Sequence, residues 1–282
     1  MKLLRYGPAG HEKPGMIDKD GHIRDLSGVV RDLDGAALAP AALDRLKALD
    51  PASLPLVGGN PRLGPCVGSV SKVLAIGLNY RLHAQEAGMA IPSEPIFFLK
   101  ALSSISGPND DVMIPRGSQK TDYEVELAIV IGSTARYVSE QDAKKHIAGY
   151  CIVNDVSERE YQIERLGQWT KGKSCDTFCP MGPWLVTADE VGDAGKLQVW
   201  TEVNGERRQN SNTADLIFGI EKIVSYCSEF MTLNPGDVIP TGTPSGVAMG
   251  FKPPKFLKAG DTMRLGIEGL GVQQQSLVAW SR

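Results

Sequence analysis

The segment from Asp122 to Gly132, with the sequence DYEVELAIVIG, constrains this chain most strongly. Its second half, Leu127 to Ile131, is an unbroken run of aliphatic residues closed by a glycine. Such a run is typical of a strand that is buried on both faces. The segment therefore predicts an inner strand of a covered sheet.

Acidic residues alternate through the first half of this strand. Because strand side chains have a period of two, Val125 and Leu127 share one face, and Asp122, Glu124 and Glu126 share the other. At an effective dielectric constant of 20, two carboxylates at about 4 Å repel by about 4 kcal/mol, so a buried convergence should hold a proton or a cation. The alternative is a solvated sheet edge on which these acids never converge.

A third acid follows another apolar run. The run from Ala148 to Val153 ends in Asn154 and Asp155, which places a carboxylate at the end of a strand. Carboxylate oxygens suit a hard cation, with Mg²⁺ the first choice and Mn²⁺ or Ca²⁺ the next. We therefore expect a divalent metal site, with water or substrate in its open positions.

Composition limits the kinds of partner. A net charge of -3 and a pI near 5.9 give no basic field for nucleic acid or anionic lipid. No apolar run of about eighteen residues and no signal-like N-terminus is present, so we expect a cytoplasmic protein with no membrane partner. The five cysteines include no Cys-x-x-Cys pair and are expected to be reduced thiols.

The pattern of the chain changes near residue 70. Before it lie short strand-like pieces, one helix-like stretch from Ala41 to Leu49 and a loop rich in turn-forming residues; after it come longer apolar runs. We predict a small N-terminal domain and linker at 1–70 and a main domain at 71–282. In the main domain, Asn204-Gly205 predicts a type I′ hairpin. The run from Ala214 to Met231 predicts the longest helix.

A short helix is predicted from Leu78 to Gly88. On it, His83 and Glu86 are three residues apart, so the carboxylate can hold the imidazole and raise its basicity. This pair is a candidate general base. The alternative is a surface pair worth a few tenths of a kcal/mol.

Two loops could bind anions. The sequence from Gly167 to Ser174, GQWTKGKS, matches the phosphate-loop pattern, but a charged segment replaces the required preceding strand and no helix pattern follows. Nucleotide binding is therefore a remote alternative, and Lys173 remains a candidate for binding an acidic substrate. The glycine-rich loop from Thr241 to Gly246 could bind a carboxylate or be a simple tight turn.

Taken together, these motifs resemble those of the fumarylacetoacetate hydrolase family, in order and over about residues 72–282. The residues that carry the resemblance are Gly77 to Tyr80, His83, Glu86, Pro95 to Lys100, Asp122 to Gly132, Asn154-Asp155, Lys171 to Pro180, Pro235 to Asp237 and Thr241 to Gly246. The likeness is greatest to bacterial members named 2,4-diketo-3-deoxy-fuconate hydrolases and, less closely, ureidoglycolate lyases.

The resemblance implies an α+β, mostly β fold: a mixed β-roll catalytic domain with a small β-rich N-terminal domain, often in homodimers or higher oligomers. It implies that Glu124, Glu126 and Asp155 hold Mg²⁺ or Mn²⁺, with Ca²⁺ as a possible substitute, and that a lid helix carries the His83 and Glu86 pair. Lys173 is expected to act in catalysis. The expected substrate-binding residues are Asn79, Tyr80, Lys100, Lys171, Thr241, Gly242 and Thr243. Leu82 stands where the family often has Asp.

The implied function is metal-dependent hydrolysis of a carbon-carbon bond in a small 2,4-dioxo acid, an acylpyruvate or a 2,4-diketo-3-deoxy sugar acid. The products would be pyruvate or a related 2-keto acid and a carboxylate. A lyase, decarboxylase or isomerase using the same metal-enolate chemistry, such as a ureidoglycolate lyase, is the alternative, and it would not need His83 and Glu86. A non-catalytic binding module on this fold is a third interpretation.

Overall fold

Most of the regular structure is β-strand. A computed structural model describes residues 1–281. The strands, in chain order, are β1 (Lys2–Tyr6), β2 (Lys13–Ile17), β3 (Ile23–Asp25), β4 (Val73–Gly77), β5 (Ile96–Lys100), β6 (Ile105–Ser106), β7 (Val112–Ile114), β8 (Thr121–Asp122), β9 (Val125–Ile131), β10 (Ile147–Asn154), β11 (Ser157–Glu158), β12 (Cys179–Pro180), β13 (Leu185–Thr187), β14 (Gln198–Val203), β15 (Glu206–Asn212), β16 (Val238–Pro240), β17 (Thr262–Ile267) and β18 (Gly271–Ala279).

The helices are short. They are α1 (Pro40–Lys47), α2 (Arg81–Glu86), α3 (Glu140–Ala143), α4 (Thr170–Lys173), α5 (Ala188–Val191) and α6 (Ile220–Phe230), and a π-helical turn spans Glu160–Glu164. Within residues 1–281, no helix has the length and apolar character needed to cross a membrane.

Two mixed sheets contain fourteen of these strands, while β6 with β12 and β8 with β11 form two separate two-stranded pairs. The larger sheet has nine strands in the order β3-β2-β1-β13-β10-β9-β16-β4-β5, and the smaller has five in the order β15-β14-β17-β18-β7. Most neighbours are antiparallel, but β4 pairs with β16 and β7 with β18 in parallel. This arrangement confirms the predicted α+β, mostly β class.

Strand β9 separates two hydrophobic cores, as its continuous apolar sequence predicts. All its residues are buried. The residues of one face, Val125, Leu127, Ile129 and Ile131, pack with α6, β14 and β17. Ala128 and Val130 of the other face pack with the N-terminal segment. The strand is shorter than the sequence predicts, because Asp122 belongs to the separate strand β8, which pairs with β11.

The N-terminal segment shares the large sheet. Strand β1 pairs with β13, so that β1, β2 and β3 extend the sheet that contains β9. Leu43 and Leu46 of α1 belong to the same core as Val130. The segment is therefore continuous in sheet and core with the rest of the chain, and the division into domains at 1–70 and 71–282 stays a prediction.

Other local predictions have mixed outcomes. The hairpin is confirmed: β14 and β15 are joined by Asn204 and Gly205, whose φ angles of 51° and 79° fit a type I′ turn. The helix predicted from Ala214 begins only at Ile220, because the side chain of Asn79 binds the backbone before it. Its amide oxygen accepts from Phe218 N at 2.8 Å, and its amide nitrogen donates to Phe218 O at 3.1 Å and to Thr241 O at 2.8 Å.

We predict that Asn79→Ala lowers the free energy of unfolding by about 3 kcal/mol, because it leaves buried backbone groups without partners. The measurement is urea denaturation. Asn210→Ala, at an exposed position of β15, is the control and should change stability by less than about 0.5 kcal/mol. Equal effects of the two substitutions would contradict the bridging role of Asn79.

Candidate active site

Three buried carboxylates meet beside β9. Glu124, Glu126 and Asp155 are 5%, 1% and 0% exposed, and each offers an oxygen atom within 4.8 Å of the others. Strand pairing produces the convergence, since Asp155 follows β10 and its backbone N-H donates to Glu124 O at 2.8 Å. The structure thus brings together the three acids expected to bind metal; their role as ligands stays a prediction.

Lysine side chains neutralise part of this charge. Lys173 of α4 places its Nζ atom 2.6 Å from Glu124 Oε2 and 2.7 Å from Asp155 Oδ2. Lys100, at the end of β5, donates to Asp155 Oδ1 at 2.5 Å and to the backbone oxygen of Lys173 at 2.5 Å. Both lysines are buried, and together they fix the position of Asp155.

Arg159 is a member of the cluster that the sequence reasoning did not identify. Its guanidinium donates to Glu124 Oε1 at 2.6 Å, to Asp122 Oδ2 at 2.8 Å and to Gln162 Oε1 at 2.9 Å. The arginine lies in a charged stretch that gave no local sign of burial. The guanidinium thus links Asp122 to the three-carboxylate group.

Glu124 and Glu126 have opposite electrostatic environments. Burial would raise the pKa of Glu124, but the Lys173 ammonium and the Arg159 guanidinium outweigh it and hold that pKa well below its ordinary value. Burial and the charges of Asp155 and Glu124 raise the pKa of Glu126 well above its ordinary value. Among the described residues, Glu126 has no salt-bridge partner, and it accepts from Gly242 N at 2.7 Å.

The donor set fits a hard divalent cation. Three converging carboxylates supply only oxygen ligands, and Glu126 is a buried acid without a cationic partner. A divalent cation would balance its charge in place of the proton that its raised pKa favours. Glu124, Glu126 and Asp155 would hold the ion.

The predicted His83 and Glu86 contact is present on α2. The Nδ1 atom of His83 lies 3.1 Å from Glu86 Oε2. Glu86 Oε1 accepts from Gly246 N at 2.9 Å, and a Cβ atom at Gly250 would come within 2.4 Å of the Glu86 carboxyl carbon. The loop after β16 therefore fixes the carboxylate that orients the imidazole; the catalytic role of the pair stays a prediction.

A cavity of about 220 Å³ connects these groups. Its polar side includes His83 together with Glu124 and Glu126 of the carboxylate group. The residues that line it are Ile76, Gly77, Leu78, His83, Ala87, Met89, Phe98, Glu124, Glu126, Arg159, Gln162, Ile163, Trp169, Lys173, Thr243 and Met249. A small substrate in this cavity would contact both the imidazole and the carboxylate cluster.

Of the residues expected to bind substrate, Thr243 lines this cavity. Its hydroxyl donates to Val125 O at 2.9 Å. The others have structural contacts instead. Lys100 is buried against Asp155, and Gly242 N donates to Glu126.

The remaining expected substrate contacts also lie outside the cavity lining. Asn79 bridges backbone groups, Thr241 donates to Leu127 O at 2.8 Å, and Lys171 donates to Arg165 O at 3.2 Å. Tyr80 is buried, and burial and the Glu126 charge raise the pKa of its hydroxyl. The substrate-binding role of these residues stays a prediction.

The phosphate-loop interpretation lacks its structural context. The π-helical turn precedes the motif where a buried strand is needed, and α4 begins inside the motif at Thr170. The lysine that would bind phosphate is Lys173, whose ammonium is held by two carboxylates. This geometry disfavours nucleotide binding.

Fold and site define an enzyme of a known class. Residues 72–278 match the family described as fumarylacetoacetate (FAA) hydrolase C-terminal, and the chain belongs to the fumarylacetoacetate hydrolase family. A Burkholderia ambifaria protein, which its name provisionally calls a hydrolase, is 62% identical over 277 residues, covering 98% of each chain.

Solved structures of similar proteins support this family membership. A fumarylacetoacetate hydrolase from psychrophilic Exiguobacterium antarcticum is 36% identical, with a TM-score of 0.88 over 99% of this chain and 100% of the other. Maleylpyruvate hydrolase from a Sphingobium species, in complex with manganese(II) and pyruvate, is 30% identical, with a TM-score of 0.81 over 100% of both chains.

The raised pKa of Glu126 predicts how metal-free protein responds to pH. A carboxyl group whose pKa rises on folding binds its proton more tightly in the folded chain, so stability should fall as pH rises above the ordinary value of 4.5. In chelator, we expect the free energy of unfolding to decline from about pH 5 upward, by at most about 1.4 kcal/mol per pH unit. Denaturant titrations across this range measure it.

Glu126→Gln should flatten this decline, because the amide does not titrate. Glu229→Gln, at an exposed position of α6, is the matched control and should keep the slope of the unmodified protein. An unchanged slope in Glu126→Gln would show that another group causes the pH dependence.

Proposed function

We propose that this chain is a divalent-metal-dependent hydrolase that cleaves a carbon-carbon bond in a small 2,4-dioxo acid. The substrate is an acylpyruvate or a 2,4-diketo-3-deoxy sugar acid, and the products are pyruvate or a related 2-keto acid and a carboxylate. The observation that carries the proposal is one cavity lined by His83, Lys173 and two of the three converging carboxylates. The related maleylpyruvate hydrolase, which holds manganese(II) and pyruvate, supports it.

The carboxylates Glu124, Glu126 and Asp155 would hold the metal, with Mg²⁺ the first choice and Mn²⁺ the next. When bound, the ion supplies positive charge that stabilises an enolate oxygen. Lys173 contacts Glu124 and Asp155 of this group. Its ammonium balances part of the negative charge of the acidic substrate. Lys100 and Arg159 hold Asp155 and Glu124 in position.

His83 is the proposed general base. Glu86 accepts a hydrogen bond from Nδ1-H, which leaves Nε2 free to take a proton from water. The resulting hydroxide adds to the distal carbonyl carbon, and the bond between that carbon and the methylene carbon breaks. The bonding electrons pass to the pyruvate enolate, which becomes pyruvate when its methylene carbon takes up a proton.

The His83 and Glu86 pair favours hydrolysis over the lyase, decarboxylase and isomerase alternatives. Those reactions use enolate stabilisation without activating a water molecule. Here Glu86 is held by both His83 and Gly246 N. Such a restrained pair is suited to proton transfer.

The test is cleavage of acylpyruvates, followed as loss of enol absorbance, with Mg²⁺, with Mn²⁺ and with chelator. We expect metal-dependent cleavage that Glu124→Gln lowers by at least about 100-fold, while the exposed control Glu229→Gln retains full activity. Tight metal binding without cleavage of any 2,4-dioxo acid would contradict hydrolysis and favour the lyase group.

Glu86→Gln tests the role of the pair. Because the amide cannot stabilise an imidazolium, we expect kcat to fall by about 100-fold with KM changed by less than about threefold. Unchanged kcat would remove the pair from the mechanism.

A further inference from the structure

One wall of the cavity changes from charged to apolar within three side chains. Lys173 Nζ lies 5.1 Å from the ring centroid of Phe98, and that ring meets Trp169 edge to face at 5.6 Å. Trp169 packs directly on Gly77, where a Cβ atom would come within 2.3 Å of the indole ring. Only glycine leaves room for this ring beside the cavity.

More apolar side chains continue the lining. Met89 follows α2, Ile163 belongs to the π-helical turn and Met249 lies in the loop after β16; all three line the cavity. They come from three separate parts of the chain. The part of the cavity away from the carboxylates is therefore an apolar compartment.

The fixed positive charges of the described cavity lining are already paired. These belong to Arg159 and Lys173. Arg159 is bound to Asp122 and Glu124, and Lys173 to Glu124 and Asp155. A second substrate carboxylate in the apolar compartment would lack a cationic partner, and burying an unpaired charge is costly.

Two polar uncharged side chains of the lining, Thr243 and Gln162, already hold hydrogen-bond partners. The Thr243 hydroxyl donates to Val125 O and accepts from Gln209 Nε2 at 2.9 Å. The Gln162 amide oxygen accepts from Arg159. The Thr243 hydroxyl therefore has little capacity left for the hydroxyls of a sugar acid, which would lose hydrogen bonds to water on entering.

We infer that the preferred substrate is an acylpyruvate whose acyl group is uncharged and apolar, an alkyl or aryl chain, and not a dicarboxylate or a sugar acid. This inference rests on the proposed function and narrows it. The pyruvate end lies at the carboxylates and Lys173, and the acyl chain lies against Phe98, Trp169 and Met249.

The experiment compares kcat/KM for acetylpyruvate, pentanoylpyruvate, glutarylpyruvate and a 2,4-diketo-3-deoxy sugar acid, each with Mn²⁺. Pentanoyl and glutaryl groups have equal carbon number, so they differ only in the terminal carboxylate. Each buried methylene should raise kcat/KM about fourfold. We therefore expect kcat/KM for pentanoylpyruvate to be at least about tenfold higher than for acetylpyruvate. Its advantage over glutarylpyruvate and over the sugar acid should be larger still.

Two variants test whether the lack of a cation near the acyl group causes the discrimination against glutarylpyruvate. Ile163 lines the cavity and is 47% exposed, so Ile163→Lys can place an ammonium at its edge. We expect it to raise kcat/KM for glutarylpyruvate by about tenfold without a gain for pentanoylpyruvate. Leu166, close in sequence and 96% exposed, provides the control Leu166→Lys, which should change neither value more than about twofold.

The outcomes separate the two levels of the proposal. If glutarylpyruvate or the sugar acid is cleaved as efficiently as pentanoylpyruvate, the inference is overturned while the proposed hydrolase function stands. If no compound is cleaved, the proposed function is overturned and the inference falls with it. A preference for pentanoylpyruvate, shifted by Ile163→Lys alone, supports both.

Discussion

The site depends on a group of buried side chains in which carboxylates outnumber cations. Four buried carboxylates meet three buried cations next to β9: Asp122, Glu124, Glu126 and Asp155 with Lys100, Arg159 and Lys173. Removing one partner of a buried ion pair typically costs about 3–5 kcal/mol, because the other charge is left uncompensated. The cluster therefore joins chain segments firmly, while Glu126 alone still lacks a cation. A divalent ion held by Glu124, Glu126 and Asp155 would supply this missing positive charge.

The same cluster positions the cavity and helix α2, which carries His83 and Glu86. Asp122 accepts from Ala248 N at 2.7 Å and from Met249 N at 3.1 Å, which fixes the loop after β16. That loop in turn donates through Gly246 N to Glu86 on α2. The carboxylates, the apolar wall and the candidate base are thus connected by direct contacts.

Local patterns predicted the parts of this site that lie close together in the sequence. The apolar run of β9, the alternating Glu124 and Glu126, and the His83 and Glu86 spacing follow from strand and helix periods. The end of a second apolar run indicated Asp155, the loop sequence left Lys173 as a candidate, and the family resemblance then gave both residues roles. Long-range contacts were beyond such patterns: Lys100 was expected to bind substrate, but its ammonium holds Asp155, which lies 55 residues away.

Two further features could not be derived from periodicity. Arg159 lies in a charged segment, and its burial becomes understandable only when strand pairing brings Asp122 and Glu124 beside it. Trp169 belongs to a motif that suggested phosphate binding, yet its ring forms the apolar wall because Gly77 leaves space for it. In both cases the surrounding chain, and not the local sequence, decides what the residue does.

An anomalous difference map from a crystal grown with Mn²⁺ would show whether the cluster is a divalent metal site. We expect one strong peak per chain within about 2.0–2.2 Å of an oxygen from each of Glu124, Glu126 and Asp155. A peak elsewhere, or a map in which Lys173 still holds Glu124 and Asp155 and no ion lies beside Glu126, would contradict it.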